Sequence, residues 1–315
     1  MCPRFDSWWH HNEERNLSLN SVEFGDFLFH AVLNMEIIGI KRASRFSPNS
    51  GDRDAAILQA VASHLTRSYR HSVHLVDEQE LTLSRINATD AIFSMARSRS
   101  ALEILAEAEH RGIPVFNSAQ GLQLLSRRYL KTVCEAHGIA VSTHLPEKGT
   151  QDMSGITYPC WLKRDDGCAQ QADDVRFITD EETLADALRT FRERGIKEYI
   201  LEAHQQGDLL KFYGVAGTDF FHCHYPTAQN GFSKFGLESI NGKACGFAFD
   251  RKLLKQQADR LGEALSVPIY GGDAIIAPDG TCRIIDFNDW PSFSICREEA
   301  AQAIARVIHE RCTNR

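Results

Sequence analysis

No stretch of the 315-residue chain approaches the roughly 18–20 consecutive apolar residues that span a bilayer. Nor do its first residues combine a basic leader with a long apolar run. We therefore expect neither a membrane partner nor a secretory route, and the chain reads as cytoplasmic. An excess of positive charge is also missing. Lys and Arg number 35 against 42 Asp and Glu, a formal net charge of -7, so nucleic acid is a poor partner unless a local patch meets it. The nine cysteines contain no C-x-x-C pair, which argues against a redox or zinc-ribbon motif and against an odd-numbered disulfide framework. Most are expected to be small buried hydrophobes. No G-x-G-x-x-G or Walker loop is present, so the dinucleotide-fold way of holding a nucleotide is not expected.

What remains is an ordinary globular composition, 43% hydrophobic and 24% charged. At about 150 residues per domain the length allows one large unit or two to three packed subdomains. The first 34 residues mix aromatics, three histidines and charges without sustained period, and are expected to be a loosely attached extension before Met35. From there strands at 36–42, 72–77, 90–95 and 113–116 alternate with helices at 52–66 and 98–111, a βαβ rhythm that predicts a parallel sheet. Ser100 and Glu103 have capping-box spacing at the second helix. Beyond it, strands and helices mix. Helices are expected at 126–137, 180–194 (opened by Thr179), 251–265 and 297–311. Strands are expected at 157–163, 198–202 and 209–216, followed by an irregular stretch to about 249 and a hairpin across 273–288. The fold class is thus α/β plus α+β, beginning with a small Rossmann-like domain. The expected division is 1–34, 35–117, 118–203 and 204–315.

The hairpin DAIIAPDGTCRIIDFN carries the strongest chemistry. An Asp279-Gly280 dipeptide favours a two-residue type I′ turn, which sets Asp273 directly opposite Asp286. Alternation then puts Asp286 and Asn288 on one face and Ile285 and Phe287 on the other. Opposed carboxylates repel, so a cation should offset them, and hard oxygen ligands of this kind suit Mg²⁺. The plainer reading makes Asp273 a strand-end cap and Asp286-x-Asn288 a wet surface. Lys163 in YPCWLK and Lys211 in LLKFYGV lie on apolar strands, where an ammonium calls for an anion or snorkels at an edge.

Together these residues resemble the ATP-grasp superfamily over about residues 36–310. The resemblance implies an ATP-grasp architecture of a small pre-domain followed by two lobes that clamp ATP. It implies that Arg127, eleven residues before Gly138-Ile139, contacts the phosphates, and that Lys163 reaches the α-phosphate and adenine. Lys211 belongs to the same cationic set. In LEAHQQGD it makes Glu202 the hinge acid near the adenine amino group, Ala203, His204 and Gln205 the purine-edge backbone, and Asp208 the ribose acid within one position. Asp273, Asp286 and Asn288 become the metal triad for two Mg²⁺ ions, with Mn²⁺ as a substitute. Two departures stand out: the loop RDDGCAQQADD has a single glycine, Gly167, and Gly271 occupies the place of an arginine found in alanine–alanine ligases.

The implied activity is an ATP- and Mg-dependent carboxylate–amine ligase working through an acyl phosphate on a small-molecule acid. The alternatives are a small-molecule kinase, which the IIDFN segment resembles in the inositol-phosphate-kinase branch, and a non-catalytic nucleotide-binding regulator. The acceptor site is expected at strand-end loops of the first domain, with Arg42 and Arg45 after the first strand, Arg97 and Arg99 at a helix N-terminus, and Ser292 after the metal strand. Lys41, in the same loop, and Ser294 are weaker candidates. His222 and His224 share a strand face and are expected to be paired cleft or surface histidines rather than a zinc site. The partner is then a small molecule, optionally within a homodimer, and neither nucleic acid nor membrane.

Overall fold

Runs rich in Ile, Val and Phe cannot stay in water, and in the first third of the chain the two central ones are covered on both faces. The computed structural model describes residues 34–47, 50–141, 155–165, 171–226 and 237–313; the expected N-terminal extension lies outside them up to residue 33. Strands β1 (Glu36–Lys41), β2 (Ser72–Asp77), β3 (Ala91–Ser94) and β4 (Val115–Phe116) form a parallel sheet of order β2-β1-β3-β4. Between them run α1 (Gly51–Tyr69), α2 (Leu83–Ile86) and α3 (Arg99–His110), and α4 (Ala119–Leu124) follows. Ile37 and Phe93 pack with α1, while Ile38, Ile40 and Ile92 pack with α3, as a strand buried on both faces requires. This matches the expected βαβ unit. The α3 cap differs: Ser98, extended at φ -68, accepts the Ala101 N–H, and Glu103 pairs with exposed Arg99 instead of reaching back to Ser100.

The middle of the chain builds a small antiparallel sheet. Helix α5 (Arg127–Ala136) precedes β5 (Cys160–Arg164), β6 (Val175–Ile178), α6 (Glu181–Glu193) and β7 (Tyr199–Ala203), with sheet order β6-β5-β7. Cys160, Leu162 and Ile178 bury one face against Leu184, Ala187 and Phe191 of α6. Asp180 rather than Thr179 caps that helix, accepting the Thr183 N–H at 2.8 Å.

A second antiparallel sheet closes the fold. It comprises β8 (Asp208–Val215), β9 (Phe221–His224), β10 (Ile269–Ile276) and β11 (Cys282–Asp289), ordered β11-β10-β8-β9, with α7 (Arg251–Ala264) and α8 (Arg297–Thr313). Strand β9 occupies part of the stretch expected to be irregular. Leu210, Phe212, Ala274, Ile276, Ile284 and Phe287 bury one face against α5 and α7. The other face is left for the cavity described below. Residues Leu33–Arg315 form one compact unit, and among the described residues no helix is long and apolar enough to cross a membrane. The seven cysteines among those residues are all unbonded. Burial pushes the thiols of Cys134, Cys282 and Cys296 up to about 12, so they pack as hydrophobes.

The β10–β11 hairpin corrects the sequence expectation in an instructive way. Its loop has three residues, Pro278–Gly280: Ala277 N–H bonds to the Thr281 carbonyl, and positive φ falls on Gly280 alone at 82°. A three-residue loop shifts the register by one, so Ile276 faces Cys282 and Ala274 faces Ile284. A bulge then leaves Ile285 unopposed, and Asp273 faces Asp286 after all. Two one-residue offsets cancel. Because of the bulge Ile285 turns to the cavity beside Asp286, not to the core with Phe287.

Buried Asn117, just past β4, couples the parallel sheet to β10. Its amide donates to the Ile269 carbonyl at 2.7 Å and accepts the Ile269 N–H at 2.9 Å, reproducing a strand pairing with one side chain. Asn117→Ala would orphan both backbone groups, and we expect it to cost about 2–5 kcal/mol in denaturant-monitored unfolding. An unchanged midpoint would show that water or relaxation satisfies them.

Candidate active site

The three sheets enclose a cavity of about 360 Å³, within the usual size range of ligand pockets. Its floor is the exposed face of the closing sheet, and pairing there sets three rows of side chains. Leu209 lies opposite Ile275, with bulged Ile285 alongside, in an apolar row. Lys211, Asp273 and Asp286 form a charged row, extended on β9 by His224. Tyr213, Gly271 and Asn288 form the third, extended by His222. Polarity therefore changes every two residues along each strand, which is the side-chain period of a sheet.

The charged row holds the densest electrostatics. Lys211 Nζ lies 3.2 Å from Asp273 Oδ1, and Arg127 Nε lies 3.7 Å from Asp286 Oδ1. Asn288 donates its amide to Asp286 at 3.3 Å. Burial would raise the Asp286 carboxyl, but Arg127 and then Lys163 outweigh it and hold the group below its usual range. Arg127 is itself anchored. Its guanidinium donates to the Arg164 carbonyl at 2.6 Å, and Asp165 accepts its backbone N–H at 2.6 Å at the start of α5. Asp165 was not anticipated from the sequence, where it stood within a polar loop; that loop's residues 166–170, including Gly167, lie outside the described residues.

Above the apolar row, the smaller sheet supplies Trp161, Lys163, Glu202 and Ala203, followed by His204 and Gln205. Buried Lys163 forms an ion pair with Glu202 and donates to the Ile285 carbonyl at 3.2 Å, the group that the bulge frees from the ladder. Burial pushes the Glu202 carboxyl up, only partly offset by Lys163. Trp161 donates its indole N–H to His204 at 3.2 Å. Asp208 departs from the expected role. Its carboxylate accepts backbone N–H bonds from Cys245, Gly246 and Phe247 at 2.7, 2.7 and 2.9 Å, and it does not line the cavity. Those donors hold its carboxyl low against the upward push of burial, so it anchors the 245–247 segment, and Leu209 stands in the wall instead.

The four arginines proposed for the acceptor site divide. Arg42 and Arg97 reach the cavity and share buried Asp289; Arg42 also pairs with Asp54 at 3.2 Å and donates to the Trp290 carbonyl at 3.1 Å. Arg45 does not line the cavity, and its guanidinium packs over the Phe46 ring. Exposed Arg99 pairs with Glu103. Of the weaker candidates, Lys41 pairs with Asp77 outside the cavity, and Ser292 lines it where Ser294 does not. Gly271 is required by space, since a Cβ there would stand 2.8 Å from Pro291 Cγ and 2.9 Å from Tyr213 Cδ1. Beside it Trp290 and Phe293 hold φ of 34° and 48°, unusual for bulky residues and sustained by full burial.

By sequence, no family model and no curated protein matches the chain. Solved structures do match. A D-alanine–D-alanine ligase from Bacillus anthracis superposes with a TM-score of 0.64 at 11% identity, covering 89% of this chain and 99% of that one. Its complex with ATP gives 0.58 at 13%, covering 89% and 98%. A RimK domain ATP-grasp protein from Sphaerobacter thermophilus gives 0.59 at 16%, covering 86% and 99%. The chain has the ATP-grasp fold. Within that fold the parallel sheet is the leading Rossmann-like unit, whose loops join the two antiparallel sheets around the cavity.

Asp273 and Asp286 of the charged row and Asn288 beside them present oxygen donors to the cavity. Among the described residues no group of three or more His, Cys, Asp or Glu side chains gathers to hold an ion. The set here is two carboxylates facing one cavity plus an amide, which fits Mg²⁺, an ion that completes its shell with water and phosphate. His222 and His224 instead pack beside Tyr213, with ring centroids 6.5 and 5.6 Å away. Burial, then His222 and Lys211, push His224 down to about 4, so it is neutral at pH 7. Its ordinary value lies near 6.5. The stability it confers is thus complete above that pH and is lost as pH falls toward about 4. NMR titration should find its midpoint near 4, and His224→Gln should flatten the acid-side fall in Tm. A midpoint above 6 would contradict the assignment.

Proposed function

We propose that this protein is an ATP- and Mg²⁺-dependent ligase that joins a small-molecule carboxylic acid to an amine. The observation that carries the reading is the three-row floor, because an apolar, a charged and an aromatic–polar row follow one another in the order that a base, a triphosphate and an acceptor require. The adenine would lie over Leu209, Ile275 and Ile285, beneath Trp161, with Ala203–Gln205 presenting backbone to its edge and Glu202 near its amino group. Lys163, Arg127 and Lys211 would meet the phosphates, and Asp273, Asp286 and Asn288 would hold Mg²⁺. When bound, the ion neutralises charge on the transferring phosphoryl group.

The acceptor would sit over the third row, among Tyr213, Pro291, Ser292 and the Arg42 and Arg97 loops. Its carboxylate oxygen attacks the γ-phosphorus in line; the bond to the β-bridging oxygen breaks and ADP leaves. An amine nitrogen then attacks the acyl carbon, losing a proton as phosphate departs, and an amide forms. Arg127 and Lys211 hold the phosphates in position, while the cavity walls restrict water. The two-lobe division at 118–203 and 204–315 belongs to this reading, since each lobe supplies one side of the clamp.

Three measurements test it. With panels of acids and amines, ADP and free phosphate should appear together only when both classes are present. ADP without free phosphate from a hydroxyl compound would favour the kinase, and no turnover would favour the regulator. Lys163→Ala should weaken ATP binding by calorimetry about tenfold or more, through loss of a charge-assisted contact; an unchanged affinity would overturn the nucleotide site. Asp286→Asn should abolish Mg²⁺-dependent turnover while leaving the fold intact by circular dichroism, and activity within about threefold of the parent would remove the metal assignment.

A further inference from the structure

Among the described residues five cations line the cavity, and each is paired to a carboxylate: Lys211 to Asp273, Arg127 to Asp286, Lys163 to Glu202, and Arg42 and Arg97 to Asp289. The acids differ in access. The Glu202 and Asp289 side chains are 9% and 1% exposed, whereas those of Asp273 and Asp286 are 26% and 23% exposed. The accessible acids are therefore the two oxygen donors of the charged row, and the cations they hold are Lys211 and Arg127.

We propose that divalent cation and nucleotide bind this site by exchange of partners, with Asp273 and Asp286 acting as counter-ions that mask Lys211 and Arg127 until a metal takes the carboxylates over. The inference rests on the ligase reading of the cavity. A triphosphate arriving alone must separate the Lys211–Asp273 and Arg127–Asp286 pairs and then lie against two carboxylates directly opposed across the hairpin. A metal arriving alone must displace an ammonium and a guanidinium and leave both facing it. Only when both arrive does every charge gain an opposite neighbour, with metal on the acids and phosphate on the bases. The Lys163–Glu202 and arginine–Asp289 pairs are too buried to take part and persist as fixed wall. Coupling of this kind is reciprocal, so the metal strengthens nucleotide binding by the factor by which nucleotide strengthens metal binding.

The consequence is counterintuitive: neutralising a metal-binding acid should improve binding of metal-free nucleotide. In calorimetric titrations of the full chain with ATP, the parent should bind about tenfold or more tighter in Mg²⁺ than in EDTA. Asp273→Asn should bind ATP in EDTA about threefold or more tighter than the parent and lose the gain from Mg²⁺. Lys211→Met separates exchange from general repulsion. In EDTA it should cost little in the parent, where Lys211 is masked, and about threefold or more extra in the Asp273→Asn background. Equal losses in both backgrounds, or no gain for Asp273→Asn, would overturn the exchange while leaving the nucleotide site standing. A parent protein that binds no ATP even with Mg²⁺ would overturn the ligase reading and the exchange with it. Thermal melting of each variant checks that the fold survives, and Asp286→Asn paired with Arg127→Met repeats the cycle on the second pair.

Discussion

Two carboxylates held face to face at Asp273 and Asp286 set the terms for the rest of the site. Like charges opposed across a sheet are unfavourable, and burial adds to the cost. The surrounding elements supply the compensation: Lys211 comes from the neighbouring strand, Arg127 from the first turn of α5, and Lys163 from the opposite sheet. Two of those cations are in turn positioned by other groups. Asp165 and the Arg164 carbonyl hold Arg127, and Glu202 with the bulged Ile285 carbonyl holds Lys163. A chain of pairings thus runs from one hairpin into both antiparallel sheets.

The same hairpin shows how backbone irregularity can serve chemistry. The bulge at Ile285 restores the opposition of the two acids, frees a carbonyl for Lys163 and adds an apolar side chain to the cavity floor. Given the three-residue loop, a regular ladder would supply none of these three. Two residues farther along, Gly271 leaves room for Tyr213 and Pro291, and the chain then turns through Trp290 and Phe293 at positive φ. Arg42 ties that turn to the parallel sheet through the Trp290 carbonyl and Asp289. Buried pairs such as Arg42–Asp289 contribute little net stability but fix geometry, since breaking one strands a charge in a dry wall.

Long periodic segments were legible in the sequence. The α1, α3, α5, α6, α7 and α8 helices and the strands of the parallel sheet lie within a few residues of expectation, because their burial follows directly from apolar period. Short elements such as β6 and α4 escaped, having too few residues to show one. Helix caps slipped by one or two positions where several polar residues compete, as at Ser98 against Ser100 and Asp180 against Thr179. In the site, alternation put Asp286 and Asn288 on one strand face, and their apolar setting marked Lys163 and Lys211 as cations in need of an anion; all four line the cavity with Asp273. It could not see that Asp208 turns its carboxylate into three backbone N–H groups, because those donors come from residues 245–247.

By itself, then, the sequence determined the order of the longer elements, the placing of Asp286 and Asn288 on one strand face, and the cations set among apolar residues. These are local properties, governed by side-chain period and by the cost of leaving charge unpaired. Tertiary structure alone decided which cation meets which acid, that Arg42 and Arg97 reach the cavity while Arg45 and Arg99 do not, and that Asp289 holds two guanidiniums. Those outcomes depend on how three sheets meet, and residues 247 and 192 positions apart can neutralise one another only after the chain has brought them together.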